Sequence, residues 1–401
     1  MLRLIRWRRR FADDRGAIAV LAALLMSTVL VGAALIAVDV GGLVDEHRQV
    51  RNGADAAALA LAQSCVRQAA SNPNNPCGSA LGPTGVVAAV ANGNAADGVT
   101  RVEGVCGTAK GLSSCPSTPK NASTLSTCPP VAAAGGTGTY GRGSYVEVRT
   151  ATATSDGRNA IRPWFGRAAG VDRDSVVRSC ARAAYGTPAS VHTVVPFAVS
   201  RCVLDRYLRS VGKFATSSAG VSALSTTAKR NAETTTQLDA GVSIGADCLI
   251  NISIGISFAG QGNFAFLTPA RSSADCSVDT AVGARVAAFY GSTSLNTTCN
   301  TAMDRSLGQT VYVPVYDPDD TTGSRTNGQV TISGYAAFYV TGFNLVGNAE
   351  ASRVTGIVPC RLLIFSSQCL TGIFVSGSTP VYGPVAPDAD QYGVSATSLL
   401  A

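Results

Sequence analysis

An uncharged apolar stretch near the start of the chain, from Gly16 to Val38, restricts the fold more than any other feature. A helix of about 20 apolar residues crosses the hydrocarbon core of a bilayer, so the stretch is long enough to span one. Its flanks differ, because arginines precede it and Asp39 follows it. Short basic flanks stay in the cytoplasm. The sequence therefore predicts a single-pass membrane protein with a cytoplasmic N-terminus and an extracytoplasmic C-terminal domain.

Basic charge is concentrated before this stretch, although the formal net charge of the whole chain is +7. A nucleic-acid-binding protein would need a basic face on its folded part, so we expect no nucleic-acid partner. We assign the arginines to membrane topology instead. The apolar cores of signal peptides span about 7–15 residues, so the length favours an uncleaved anchor over a cleaved signal. The arginines assigned to topology are Arg8, Arg9, Arg10 and Arg15.

All 12 cysteines follow the predicted anchor, and none forms a CxxC pair. An even number of cysteines on one side of a membrane is typical of an oxidised, extracytoplasmic domain. Zinc ribbons and thioredoxin-type redox sites are not indicated, because both need closely spaced cysteine pairs. Spacing alone proposes three bridges, namely Cys360 with Cys369, Cys276 with Cys299, and Cys202 with Cys248.

The helical pattern continues beyond the anchor to about Ala70, before Pro73 and Pro76. Apolar or small residues recur there at spacings of three and four, which predicts a helical stalk. Small residues let a partner helix approach closely, both in the stalk and in the membrane. His47 lies on the same stripe and has no second ligand nearby in the pattern. The residues predicted to pack against partner helices are Gly32, Ala54, Ala57 and Leu61.

The rest of the chain mixes strand and helix patterns. Alternation at 144–154 predicts a strand with Tyr145, Glu147 and Arg149 on one face. Further strands are predicted at 99–105, 190–200, 248–258, 311–316, 328–346, 354–366 and 371–376. Helices are predicted at 84–96, 164–169, 175–186, 201–211 and 280–291. Irregular mixing of this kind indicates an α+β fold, with a transmembrane helix, a helical stalk and a disulfide-stapled mixed or antiparallel sheet domain.

These patterns divide the chain into six segments. They are a cytoplasmic basic segment (1–15), the transmembrane helix (16–38), the stalk (39–70), a small helix/strand and Ser/Pro/Gly-rich loop region (71–143), an exported α+β domain (144–376) and a C-terminal tail with a final strand (377–401).

Motifs for chemistry are few, and we expect no cofactor. Ser243 stands in a GxSxG match, but no histidine follows His192 to complete a triad. A cysteine hydrolase using His192 would need a free cysteine, which an oxidised compartment disfavours. The carboxylates at 317–320 could bind Ca²⁺ through oxygens, or form an Asp/Pro/Gly turn between strands. They are Asp317, Asp319 and Asp320.

The N-terminal region resembles the tight-adherence (Tad/Flp) pilus-assembly proteins of the TadE/TadG type over about residues 10–65. Those chains have a basic start, an R-G-x-x-A-V opening, a V-D-x-G exit and an alanine-rich A-D-A-A-A-L-A segment. Later segments, including VYVPVYD and CLTGIFV, resemble larger actinobacterial members. The residues at matching places are Arg15, Gly16, Val38, Asp39, Gly41, Asp55, Ala56, Ala57, Ala58 and Leu59.

The resemblance implies a membrane-anchored, non-enzymatic scaffold or minor-pilin-like component of an Flp/Tad-type pilus or secretion assembly. Its expected partners are the cytoplasmic membrane and other proteins of the pilus-assembly or secretion apparatus. Two alternatives stay open with the same topology. One is an exported adhesion module that binds a surface through loops 107–139 or 316–327, and the other is an anchored hydrolase.

Overall fold

A computed structural model gives the fold of the chain. It describes residues 14–69, 74–75, 77–81, 85–115, 128, 144–166, 173–212, 214–215, 218–235, 238–239, 243–244, 250–251, 261–262, 264–268, 276–289, 295–324, 327–356, 368–378, 385–386 and 392–400.

The helices, in chain order, are α1 (Asp14–Ala69), α2 (Val86–Gly93), α3 (Arg201–Val211), α4 (Ser218–Ala223), α5 (Thr226–Thr235) and α6 (Thr297–Ser306), with a 3-10 turn at Gly78–Ala80. The strands are β1 (Thr100–Gly107), β2 (Tyr145–Thr152), β3 (Arg178–Pro188), β4 (Ser190–Thr193), β5 (Phe197–Ser200), β6 (Leu238–Asp239), β7 (Ser243–Ile244), β8 (Ile250–Asn251), β9 (Gln261–Gly262), β10 (Phe264–Leu267), β11 (Val278–Ala281), β12 (Arg285–Phe289), β13 (Thr310–Ser324), β14 (Asn327–Leu345), β15 (Asn348–Glu350), β16 (Cys369–Val375), β17 (Gly377–Ser378), β18 (Val385–Ala386) and β19 (Val394–Leu400).

Helix α1 runs without a break through the predicted anchor and the predicted stalk. Its 56 residues span roughly 80 Å at 1.5 Å per residue. Gly41, Gly42 and Gly53 lie inside it and do not interrupt it. The prediction of one continuous helix up to about Ala70 is confirmed.

The second half of α1 packs on a sheet that we call the helix-bound sheet, with strand order β1-β2-β3-β19-β17 and β18 beside β3. Within the described residues, its neighbours are antiparallel except for β17 and β19. Side chains of α1, α2, β2 and β3 form one apolar core. Small residues hold the helices together here, since a side chain at Gly53 would approach the Ala91 carbonyl oxygen to 3.1 Å.

A second sheet, the distal sheet, follows the order β12-β10-β5-β13-β14-β16-β6, with β15 beside β14. Because β12 also pairs with β14, the described strands β12, β10, β5, β13 and β14 form a closed ring of pairings. Phe197, Phe338 and Phe374 pack edge-on or tilted in its core. The Tyr207 hydroxyl of α3 donates to the Phe374 carbonyl at 3.2 Å, and burial raises the pKa of Tyr207 to about 12.

Two segments predicted as helices are strands. Residues 175–186 become β3 because β2 and β19 pair with it on both sides. In the second segment, predicted at 280–291, the described residues 280–289 lie in β11 and β12, joined by a turn at Gly283, whose φ of 79° favours glycine. Residues 290–291 lie outside the described residues. Pairing of β12 with β10 and β14 outweighs the helix propensity of its alanines.

The other predicted elements agree in part with the structure. Helices at 84–96 and 201–211 appear as α2 and α3, and the strand at 190–200 is divided into β4 and β5. Of the strand predicted at 248–258, residues 250–251 form β8, and the others lie outside the described residues. Residues 354–356 form a turn and no strand, while 357–366 lie outside the described residues, as do 167–169 of the helix predicted at 164–169. In outline, the chain is an apolar N-terminal helix followed by a sheet-rich region with disulfides.

Candidate functional site

The first half of α1 is an exposed apolar surface. None of the described residues in the most apolar part of this helix is buried. Among the helices that the structure describes, α1 is the one that is long and apolar enough to cross a membrane. Leu25 is 67% exposed. The hydroxyls of Ser27 and Thr28 donate to the carbonyls of Leu24 and Leu25, at 2.9 and 2.8 Å. These polar groups are therefore satisfied within the helix, as a hydrocarbon environment requires.

Asp39 marks the end of this apolar surface and holds a distant loop. Its carboxylate accepts hydrogen bonds from the backbone N–H of Trp164 at 2.9 Å and of Gly166 at 2.8 Å. The Phe165 N–H lies 3.3 Å from both oxygens. The side chains of Trp164 and Phe165 are 84% and 38% exposed. Three consecutive backbone donors around one carboxylate thus fix the loop on α1.

Residues 164–166, which we call the hairpin tip, belong to the connection between β2 and β3, and both strands pack along α1. The Thr150 hydroxyl of β2 donates to the Val50 carbonyl at 2.9 Å. Farther out, Ile161 and Ser175 form a bridge between the two arms. Val50 and Asp39 are about 16 Å apart along the helix. The hairpin therefore reaches from the helix-bound sheet to the end of the apolar surface.

The second half of α1 is covered by other segments of the same chain. Ala54, Ala57 and Leu61 are fully buried against β2, β3 and α2. The prediction that they face a helix of a partner protein is thereby corrected, because these side chains pack against elements of the same chain. Gly32 differs, since a side chain there would meet nothing within 4 Å. Its packing role stays a prediction.

The arginines assigned to topology are not placed by the structure. Arg8, Arg9 and Arg10 lie outside the described residues, and Arg15 is in α1 without a described side chain. The orientation of the helix in a membrane therefore stays a prediction.

Cysteines of the described part of the chain are all in disulfides. Cys276 bonds to Cys299, the pair proposed from spacing. Cys202 and Cys369 are bridged, but their proposed partners Cys248 and Cys360 lie outside the described residues. Spacing missed three further bridges, which are Cys65–Cys77, Cys106–Cys115 and Cys128–Cys180.

Glu147 is a buried carboxylate on the face of β2 that the sequence pattern also assigned to Tyr145 and Arg149. Its side chain is 0% exposed and pairs with Arg149 and Arg182, each at 2.6 Å. Cys106 and Cys115 lie nearby. They are bonded to each other and offer no thiolate, so this cluster is not suited to hold a metal ion. Glu147 has a structural role in the centre of the helix-bound sheet.

The residues weighed for catalysis are not assembled into a site. Ser243 lies in the short strand β7, and the two glycines of its motif are outside the described residues. His192 is exposed on β4, and its Nδ1 lies 2.7 Å from Asp279 Oδ1. Cys276 lines the same cleft as His192 but is bonded to Cys299.

The carboxylates considered for Ca²⁺ face arginines and backbone. Asp317 pairs with Arg201 at 2.8 Å and accepts the Asp319 N–H at 3.1 Å. Asp320 lies 3.6 Å from Arg285. The three residues lie within β13, where its register with β14 shifts between Tyr316 and Thr321, so the predicted turn between strands is wrong.

Comparison with protein families identifies a region within α1. Residues 16–64 match the Tad family model, which describes Flp pilus-assembly TadE/G-like proteins. No curated protein and no solved structure matches the chain significantly. The matched region covers the exposed apolar half of α1, Asp39 and most of the half buried on the sheet. The chain therefore carries, at residues 16–64, a TadE/G-like Flp pilus-assembly region.

Proposed function

We propose that the chain is a non-enzymatic, minor-pilin-like structural component of an Flp/Tad-type pilus or secretion assembly. The proposal places α1 in the cytoplasmic membrane with its N-terminus inside and both sheets outside. Its partners are other proteins of the assembly. Its main support is that the family match covers a helix whose first half is apolar and exposed and whose second half is buried on a sheet.

The exposed half of α1 supplies the surface for contact with lipid and partner helices. Without a hydrophobic driving force between helices in lipid, association depends on close packing at small residues. Gly32 provides such a position and is open in this chain. The buried half of α1 then connects this surface to the helix-bound sheet through one apolar core.

A structural role agrees with the chemistry of the described residues. The cysteine closest to His192 in its cleft is bridged, and thiolate nucleophiles need a free thiol. An active-site serine probe supplies the test for Ser243. Labelling of the protein that is lost in Ser243→Ala would contradict a non-enzymatic role.

The packing role of Gly32 is tested by Gly32→Leu, with Ala33→Leu as the matched control on another face of the same helix. Both side chains are introduced outside the folded core, so the sheets should fold in both variants. We expect Gly32→Leu to reduce sheared pili about tenfold in cells, equivalent to roughly 1.4 kcal/mol of lost packing. Ala33→Leu should leave piliation near the wild-type level.

Equal piliation in both variants would reject Gly32 as a packing position. The topology has its own test, because a reporter fused after Ala401 should be active only outside the cytoplasm. Activity in the cytoplasm would reject the proposed orientation.

A further inference from the structure

We propose that the tip of the β2–β3 hairpin is a lipid-contacting element. In this proposal Trp164 and Phe165 insert into the headgroup region of the leaflet from which α1 emerges. Asp39 holds them there through the three backbone hydrogen bonds. The proposal requires α1 to span a bilayer but does not depend on a role in pilus assembly.

The position of the tip along α1 supports contact with the bilayer surface. Asp39 is the first charged residue after the uncharged stretch that begins at Gly16. The hydrocarbon core therefore ends close to Asp39 when α1 spans the membrane. Any group bonded directly to the Asp39 carboxylate lies at the same depth, which is the interface.

The chemistry of Asp39 fits this depth. A carboxylate near the hydrocarbon boundary loses hydration and is unfavourable unless other groups satisfy it. Here the backbone N–H groups of Trp164, Phe165 and Gly166 replace water around both oxygens. The same bonds satisfy three loop donors that would otherwise need water.

The exposed side chains at the tip are those favoured at a membrane interface. Trp is enriched there because its ring is apolar and its indole N–H can bind water or headgroups. Trp164 is 84% exposed although its backbone is fixed. Arg162 lies two residues away, is about half exposed and pairs with Asp174 at 3.7 Å, so this part of the loop also carries polar groups suited to the headgroup region. Val40, exposed on the next position of α1, continues the apolar surface.

The chain contains two tryptophans, Trp7 and Trp164, so Trp7→Phe leaves Trp164 as the single tryptophan, whose emission is excited selectively at a wavelength that tyrosine does not absorb. The full-length variant is reconstituted in phosphatidylcholine nanodiscs that contain lipids brominated at different acyl positions. We expect Trp164 emission at short wavelength, with stronger quenching by bromines near the headgroup than by bromines near the acyl end. Emission typical of water, unaffected by any brominated lipid, would overturn the proposal.

A protein partner at the tip would give a different result. If a second copy covered Trp164, its emission would move to short wavelength as protein concentration rose, without quenching by brominated lipid. That outcome would also overturn the lipid contact.

The role of Asp39 is tested by Asp39→Ala in the Trp7→Phe background. Asp45→Ala is the matched control, since Asp45 is an exposed carboxylate on the same helix that bonds to Gln49 within α1. We expect Asp39→Ala to weaken the depth-dependent quenching at least about twofold, because the tip loses its three anchoring bonds. Asp45→Ala should leave the quenching profile unchanged. Equal profiles in the two variants would reject Asp39 as the positioning residue.

Discussion

The two halves of α1 are built from similar small and apolar residues but have opposite surroundings. Leu24 and its neighbours in the first half are exposed over more than half of their surface, whereas Leu61 in the second half is fully buried. The difference comes from what the rest of the chain places beside the helix. Sequence pattern on one helix therefore indicates that a face will be covered, and it does not tell whether lipid, a partner or the chain itself covers it.

The largest effect should follow from a charge in the buried half. Leu61→Glu places a carboxylate among Ala57, Val146 and Val148 with no partner, and we expect a loss of roughly 4 kcal/mol in the free energy of unfolding. Equilibrium unfolding in nanodiscs, followed by near-UV circular dichroism, measures it. Gln63→Glu, on the exposed side of the same helix turn, should change stability by less than about 0.5 kcal/mol. Similar values for both variants would show that Leu61 is not in a core.

The C-terminal end of α1 is also fixed by the disulfide between Cys65 and Cys77. Replacing Cys65 and Cys77 with serine together should cost roughly 3 kcal/mol, because the unfolded chain regains the freedom of a closed loop. The matched double variant at Cys106 and Cys115 opens a loop of similar size and should lose about as much. Hydrogen exchange separates them, since only the first should increase exchange at the end of α1. Unchanged exchange there would contradict the role of this bridge.

A smaller effect is expected at the hydrogen bond between β2 and α1. Thr150→Val keeps the shape of the side chain but removes the donor to the Val50 carbonyl, so the free energy of unfolding should fall by about 1 kcal/mol. Thr301→Val on the exposed face of α6 removes a bond within one helix and is the control. A loss no greater than that of the control would show that this contact does not hold the hairpin on the helix.

The smallest effect belongs to the exposed half. Leu24→Ala should change the stability of the sheets by less than about 0.5 kcal/mol, because this side chain touches no core of the chain. The same truncation at Leu61 should cost about 2–5 kcal/mol. Unfolding of both variants in the same nanodiscs gives the comparison. A loss above about 1 kcal/mol for Leu24→Ala would reveal an intramolecular contact and remove the distinction between the halves.

The helix itself was predictable because its signals are local. The uncharged stretch, the spacing of three and four and the prolines after Ala70 all lie within one segment. The region matched to the pilus-assembly family was recognisable for the same reason. The sequence did not reveal which elements cover Ala54, Ala57 and Leu61, because β2 and β3 lie far from them along the chain.

The burial of Glu147 shows a second limit of local pattern. Alternation along β2 assigned Glu147 to the face of Tyr145 and Arg149, yet both faces of the strand are covered. One of its two cationic partners, Arg182, comes from β3. A buried carboxylate is acceptable only with such partners, and a single strand does not reveal them. The alanine-rich residues 280–291 were misassigned similarly, because pairing with distant strands decides their structure.

The bonds between Asp39 and the hairpin tip were beyond sequence reasoning as well. The V-D-x-G exit was visible, but residues 164–169 were predicted to form a helix, whereas Trp164 and Phe165 lie in a turn. Nothing in either segment indicates that backbone donors of one meet the carboxylate of the other.

The position of β19 has a consequence for how the protein is made. This strand pairs with β3 inside the sheet that covers α1, although the distal sheet separates the two strands in sequence. The ribosome must therefore translate the chain through Leu400 before the covering of the first helix can be completed. The small-residue face of α1 can be covered earlier by α2, β2 and β3, but until then β3 lacks its β19 neighbour. An interrupted synthesis would therefore leave one edge of β3 with unpaired backbone groups.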